Sequence, residues 1–355
     1  MIDHPRGRRR RLAGRIARRA AVITVTTVVL YIFAPTLLTA LGSWSEVKQL
    51  QPWWLAAMTL TQSASIWCLW QLQAIAIGTE DRWAIATSQL AGGALGRIVP
   101  GGAATATAAQ YGMFAAATDD EVRRSSVATG LAAATVLQVA GLCALPLLAL
   151  PAILFGSVPP TFAEAALLGV AIFAGMVIIA VIANRSEFLL RAVGNAITRV
   201  GQRLPRWEPP PNLPDRLIAI RDETRDRLGE RFPAAMLATM GRWIFDFLTM
   251  LFAVLAVGGR PSVWLLLMAF FTAQLLNQVS ITPGGLGVVE AGLIGALKLA
   301  GLAAGQAAVA TLAYRLFNYG LMLPAGFVAW GIHRRRLVLA GREEFDPDQL
   351  FDARS

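Results

Sequence analysis

Charge is scarce in this chain. Asp, Glu, Lys and Arg make up only 15% of its 355 residues, too little polar surface for a water-soluble domain of that size. There are two cysteines, Cys68 and Cys143, both inside apolar runs. That excludes a disulfide framework and leaves no cysteine-based metal set. The two histidines, His4 and His333, flank the apolar part without metal-ligand company, and both read as solvated tail residues. No hydrolase, P-loop or dinucleotide signature is present, so no cofactor is implied. Gly92-Gly93 and Gly96 lack the strand-loop-helix setting of a nucleotide motif and read as sites of close helix packing.

What the chain does contain is apolar sequence. Hydrophobic residues reach 55%, and the mean hydropathy is +0.54. Runs of about 20 apolar residues recur, each long enough to cross a hydrocarbon core of roughly 30 Å. The net charge of +10 invites a nucleic-acid reading, but its distribution excludes one. Eight arginines lie in the first 20 residues, ten more basic residues lie in segment 184–231, and Arg334-Arg335-Arg336 follows the last apolar run. This is the positive-inside pattern, with attraction to anionic lipid as a secondary consequence. The arginines before the first run resemble a signal peptide, but the 22 apolar residues that follow fit an uncleaved anchor helix better.

The organisation follows from sidedness. After the basic tail 1–20, a first helix over 21–42 runs outward. A second starts at Trp53 and Trp54 and returns inward to about Gly78, so Glu80, Asp81 and Arg82 are cytoplasmic. Asp119, Asp120, Glu121, Arg123 and Arg124 form the next cluster, followed by helices to about Phe155 and, after Pro159-Pro160, to Ala183. With 184–231 inside, counting back two helices places the 119–124 cluster inside as well, so segment 83–118 both leaves and returns on that side. Its turn is Pro100-Gly101-Gly102. In the second half, a helix runs outward from Pro233 to about Val257, and a final helix from Gln306 to about Ile332 runs inward. Segment 262–303 therefore begins and ends outside, and its middle is Pro283-Gly284-Gly285. Only Lys48 and Arg260 among the basic residues beyond the membrane fall outside the cell.

The expected fold is thus an all-α polytopic integral membrane protein. It has about six full transmembrane helices plus two oppositely oriented broken or re-entrant hairpins, an inverted repeat. Its parts are a basic tail 1–20, a first membrane half 21–183, a linker 184–231, a second half 232–332 and a tail 333–355. The termini face the cytoplasm of a bacterial-type inner membrane. In the linker, Leu213, Leu217, Ile220 and Leu228 lie near one helical face beyond Pro209-Pro210-Pro211. This reads either as an interfacial amphipathic helix or as a solvated helical linker.

Charged side chains inside apolar spans are costly and face a partner or a cavity. Here they are Arg97, Arg242, Asp246, Glu290, Lys298 and Arg315. Glu290 follows the second break, where it either complements a helix N-terminus or takes part in binding or proton exchange. Gln274, Asn277, Gln278 and Thr282 share a face of the helix entering that break, lining a cavity or joining helices. Arg315, Asn318, Tyr319 and Met322 share a face of the last helix. Arginine suits bidentate phosphate recognition, while Asp246 or Glu290 could instead pair with Arg315. Arg242 and Asp246, one turn apart, could pair within their own helix.

These residues resemble a known family, the flippase-like transmembrane region of lysylphosphatidylglycerol synthases and their stand-alone relatives. Trp243-Ile244-Phe245-Asp246 resembles the family's Trp-and-Asp helix, and Pro283-Gly284-Gly285-Leu286-Gly287-Val288-Val289-Glu290 its signature. Tyr314-Arg315-Leu316-Phe317-Asn318-Tyr319 is similar to its closing arginine helix, and Arg97-Ile98-Val99-Pro100-Gly101-Gly102 to its first proline-glycine motif. The resemblance covers about 50–332. It implies handling of an amphiphilic lipid, either an aminoacylated phospholipid or a polyprenyl-linked one. Only 23 residues follow Ile332, so a stand-alone member without the aminoacyltransferase domain is expected.

On this reading the protein translocates a phosphate-headgroup lipid. Arg97, Arg315 and the backbone at Gly101, Gly102, Gly284 and Gly285 would meet the phosphate. Gln274, Asn277, Gln278, Asn318 and Tyr319 would meet the rest of the headgroup, with Asp246 and Glu290 as coupling or structural charges. Membrane lipids, anionic or polyprenyl phosphate, are the expected partners. Two rivals stand beside this reading. One is an integral-membrane transferase acting on a polyprenyl phosphate, with Asp246 or Glu290 as its carboxylate. The other is a non-catalytic membrane partner that docks a cytosolic lipid-modifying enzyme through 184–231.

Overall fold

The computed structural model describes residues 52–99, 102–116, 121–149, 160–201, 212–279 and 287–339, and every regular element among them is helical. The tail 1–20, the expected helix 21–42, Pro100-Gly101, the polyproline stretch, Thr282, Pro283-Gly284-Gly285 and residues 340–355 lie outside the described residues.

Helix α1 (Pro52–Ile77) ends at Gly78, whose φ of +71° lets its N–H turn back onto the carbonyl of Ala74. The Asp81 carboxylate then caps α2 (Arg82–Ile98) by accepting from the N–H of Ala84 at 3.0 Å. Helix α3 (Gly102–Ala116) follows, then α4 (Glu121–Ala144), which tightens into a 3₁₀ turn over Leu145–Ala149 where Pro146 lacks a backbone donor. The remaining helices are α5 (Pro160–Arg185), α6 (Glu187–Gly201), α7 (Leu213–Leu228), α8 (Phe232–Ala256), α9 (Val263–Val279), α10 (Val288–Leu299), α11 (Ala304–Gly320) and α12 (Met322–Leu339).

Two spans among the described residues are long and apolar enough to cross a membrane, Ser126–Leu148 and Phe232–Ala256, with mean hydropathies of 2.0 and 1.4. By contrast α2, α3, α9 and α10 hold 17, 15, 17 and 12 residues. At 1.5 Å per residue they rise only about 18–26 Å, less than a hydrocarbon core of about 30 Å. Leu60, Ile179, Leu237, Leu316, Phe327 and Val328 are all more than half exposed, as lipid-facing positions are.

Helices α1 and α8 pack antiparallel. The hydroxyls of Thr61 and Thr249 meet at 2.8 Å, and the Ser65 hydroxyl donates to the backbone carbonyl of Arg242 at 3.0 Å. Small residues bring the other helices close. A Cβ at Gly92 would stand 2.6 Å from the Ala106 carbonyl oxygen, which fixes α2 against α3, and Gly326 of α12 lies against Ala94 and the Leu90 backbone of α2. The main core gathers around the fully buried Phe270 and Phe271 of α9. Phe270 meets the rings of Trp243, Phe247 and Tyr314 edge-on, with centroids 5.7–6.5 Å apart.

Three local features differ from the sequence reading. The last helix is two, α11 and α12, meeting at Leu321, because Pro324 supplies no N–H in the first turn of α12. Helix α12 also continues to Leu339, and His333 on it is 5% exposed rather than solvated. Its Nδ1 lies 3.1 Å from the Thr87 hydroxyl and its Nε2 3.0 Å from the Met113 carbonyl, so both ring nitrogens are used in packing α12 on the first hairpin. Finally, the described parts of segment 184–231, residues 184–201 and 212–231, are docked. Arg191 pairs with Asp215 at 3.1 Å across α6 and α7, and Leu228 is buried beside Leu72, Ala76, Ala134 and Ala235. Arg227 donates to the carbonyls of Ile77 (2.9 Å) and Ser126 (3.3 Å) and to the Ser126 hydroxyl. Of the expected linker face, Ile220 is exposed.

Gly92→Val is expected to cost about 1–3 kcal/mol through overpacking against the Ala106 backbone and to lower Tm in detergent. Gly295→Ala meets open space and should leave Tm unchanged or raise it, since alanine favours a helix interior by up to about 1 kcal/mol. Equal Tm values for the two variants would contradict the close α2–α3 contact.

Candidate functional site

The site is built around Asp246, the fifteenth of the 25 residues of α8. Its side chain is buried, so its carboxylate must find donors within the protein. Three neutral groups supply them. Gln274 of α9 uses both amide hydrogens, one to Asp246 Oδ2 at 3.1 Å and one to the Tyr314 hydroxyl at 2.9 Å. Tyr314 of α11 in turn donates to Asp246 Oδ1 at 3.1 Å. Asn318, one turn further along α11, points its amide nitrogen at the same oxygen at 3.5 Å, a weaker contact.

Asn318 also extends the network to the first hairpin. Its Oδ1 accepts from Arg97 Nη2 at 2.9 Å, while Arg97 Nη1 donates to the Gly93 carbonyl of its own helix. Arg97 lies over the Tyr319 ring at 5.1 Å, and Arg315 lies over the same ring at the same distance. Arg315 donates to the Tyr319 hydroxyl at 2.6 Å and places Nε 3.2 Å from Glu290 Oε1. The second Glu290 oxygen accepts from the N–H of Gly287, the residue before α10, where φ is +86°. Glu290 therefore closes the helix N-terminus and holds α11 through Arg315. Both functions fall on one side chain.

Of the three pairings open to the carboxylates, one is formed. Arg315 takes Glu290, not Asp246. Arg242 does not pair within its helix, because its guanidinium stacks over the Trp243 ring at 4.1 Å. Fully ionised, Arg97, Arg242 and Arg315 outnumber Asp246 and Glu290 by three to two. Arg97 also feels the fields of the other two arginines and of Asp246. Such a cluster can hold a monoanion at neutral overall charge.

Of the residues expected from sequence, Arg97, Asp246, Gln274, Glu290, Arg315, Asn318 and Tyr319 come together here. Asn277 and Gln278 are exposed at the end of α9 and do not join them. Gly102 opens α3, while Gly101, Gly284 and Gly285 lie outside the described residues. Lys298 is exposed near the end of α10. Sequence reasoning missed Tyr314, which both donates and accepts at the centre of the network. Its spacing of four from Asn318 was the available signal.

A model of the family described as Lysylphosphatidylglycerol synthase TM region matches residues 16–326, most of the chain. That family is linked to flipping aminoacylated phospholipids. No curated protein matches the chain.

Glu290→Gln leaves the Arg315 charge buried without its counter-ion and is expected to destabilise by about 3–5 kcal/mol. In a double-mutant cycle with Arg315→Gln, chemical denaturation in detergent should return a coupling of about 1–3 kcal/mol. Additive single losses would show that the pair does not interact.

Proposed function

The chain belongs to the lysylphosphatidylglycerol synthase transmembrane-region family, and from that premise we propose that it moves a phosphate-headgroup lipid across the membrane in which it is a multi-pass protein. The observation that carries this reading is the cluster just described. It lies about midway along α8, and Arg97 of the first hairpin, Gln274 and Glu290 of the second, and α11 between them all contribute to it. A binding site at the junction of two repeats, near the bilayer midplane, is how secondary transporters are built. The substrate is an aminoacylated phospholipid or a polyprenyl-linked lipid. Its phosphate meets Arg97 and Arg315 with the backbone at Gly101, Gly102, Gly284 and Gly285, while Gln274, Asn318 and Tyr319 face the rest of the headgroup.

The two hairpins are re-entrant and oppositely oriented in this proposal. Two features support it: the shortness of α2, α3, α9 and α10, and the contacts at the two ends of the molecule. Ile77, Ser126, Leu228, Thr87, Met113 and His333 gather at one end. At the other end Gln306 donates to the Val257 carbonyl at 3.1 Å. The first hairpin opens toward the former and the second toward the latter. The ten basic residues of 184–231 support a cytoplasmic location for the former end and, with it, for both termini.

Asp246 is the coupling carboxylate in this scheme. It is held by neutral donors, whereas Glu290 is committed to Arg315 and to the Gly287 N–H.

The test is transbilayer movement in proteoliposomes holding the purified chain, with labelled phosphatidylglycerol, its lysyl derivative and a polyprenyl phosphate. At least one should move, and Arg97→Ala should slow it by about tenfold or more, the usual weight of a lost charge-assisted contact. No movement of any of the three, with and without an imposed proton gradient, would sink the translocation reading.

A further inference from the structure

Arg242 is the one arginine of the cluster that the network leaves unused. Its Nε and Nη1 are buried without a hydrogen-bond partner, and among the described residues it forms no ion pair. The Trp243 ring 4.1 Å beneath it offsets part of the charge but accepts none of its N–H groups. In an apolar bundle such donors cannot fall back on bulk water, so leaving them unmet is costly unless something else occupies them. A second unmet group lies on the helix packed against α8. Gln62 of α1 is 5% exposed, and its Oε1 accepts from nothing. It lies one turn from Ser65, whose hydroxyl is fixed to the backbone carbonyl of Arg242. The α1–α8 pair therefore presents buried donors on one helix and a buried acceptor on the other.

We infer that Arg242 and Gln62 form a headgroup subsite for a phosphate ester, separate from the Arg315–Glu290 pair. Phosphoryl oxygens accept from Nε and Nη1 of Arg242, and a hydroxyl adjoining the phosphate donates to Gln62 Oε1. This deepens the proposed translocation and rests on it for the source of the ligand. The placement follows from supply and demand. Arg315 is committed to Glu290 and Tyr319, and Arg97 to Gly93 and Asn318, while Arg242 still has donors to give. A phosphate held here lies between the long helices α1 and α8, at a station distinct from the Arg97–Arg315 position, and the polar remainder of the headgroup lies toward Asp246, one turn on from Arg242.

The test is equilibrium binding to the purified full chain in detergent, read by calorimetry. The probes are dioctanoyl phosphatidylglycerol, a short-chain polyprenyl phosphate and inorganic phosphate, with dioctanoylglycerol as the phosphate-free control. The wild type should bind at least one phosphate probe and not the control. Tight binding of inorganic phosphate alone would assign the site to the free ion and overturn the lipid assignment. Arg242→Gln should weaken the bound probe by about tenfold or more, and Gln62→Leu by less. The Tm of the ligand-free Arg242→Gln protein should be unchanged or higher, because the substitution removes an unmet charge. Equal affinity in wild type and Arg242→Gln, or a fall in Tm that accompanies the lost binding, would overturn the assignment. If Arg242→Gln does not fold, Arg242→Lys decides. It keeps the charge but loses Nε, so wild-type affinity in that variant overturns the subsite. Lost transport with binding intact counts against the translocation reading alone.

Discussion

The arrangement of α8, α9 and α11 follows from one demand: a carboxylate placed midway along an apolar helix must be given donors by other helices. Asp246 could have met that demand cheaply, with Arg242 one turn away on the same helix. Instead Arg242 stacks on Trp243, and Asp246 takes its donors from Gln274, Tyr314 and Asn318. Those partners belong to α9 and α11, so satisfying one side chain fixes the relative position of three helices. The edge-on contacts of Phe270 with Trp243 and Tyr314 add an apolar layer to the same three helices. Polar satisfaction and core packing thus specify one arrangement together.

The sequence made the membrane class, the helical segments and the costly charges legible, because hydropathy and intramembrane charge are one-dimensional signals. Pairing was not legible. Arg315 had two acceptable acids, and only the register of α10 against α11 decides for Glu290. The polar stripe on α9 has helical spacing, yet among its described residues only Gln274 comes within reach of α8, while Asn277 and Gln278 are exposed. Tyr314 was hidden by its aromatic ring, which reads as core. His333 was hidden by its position beside three arginines, which reads as tail. In both cases the polar atom is satisfied by a residue distant in sequence, and no local pattern announces that.

The two buried acids are held in unequal ways, and the inequality has consequences. Glu290 meets a full positive charge and a helix N-terminus, so each of its two oxygens has a fixed partner. Removing the charge would unsettle the cap and the ion pair together. Asp246 is surrounded by amide and hydroxyl donors that can rotate or exchange partners. The Gln274 amide and the Tyr314 hydroxyl can serve an incoming polar group without leaving a permanent ion pair broken. A site that must bind and release is better served by the second kind of acid than by the first.

The same asymmetry runs through the way the halves are joined. Helix α11 is bound to the second hairpin through Glu290 and Gln274, whereas α12 packs along α2 and holds the first hairpin through His333. Between them lies Leu321, where the turn beginning at Met322 lacks the N–H of Pro324. Among the described residues, the side-chain hydrogen bond that crosses from the first hairpin to α11 is Arg97 to Asn318. A displacement of one hairpin against the other must therefore break that bond or bend the chain at 321–324. Arg97 and Asn318 are also the residues through which a phosphate headgroup would compete for the network. A ligand that takes Arg97 away from Asn318 removes a tie between the halves and leaves the proline joint to absorb the motion. Binding and loosening would then be a single event.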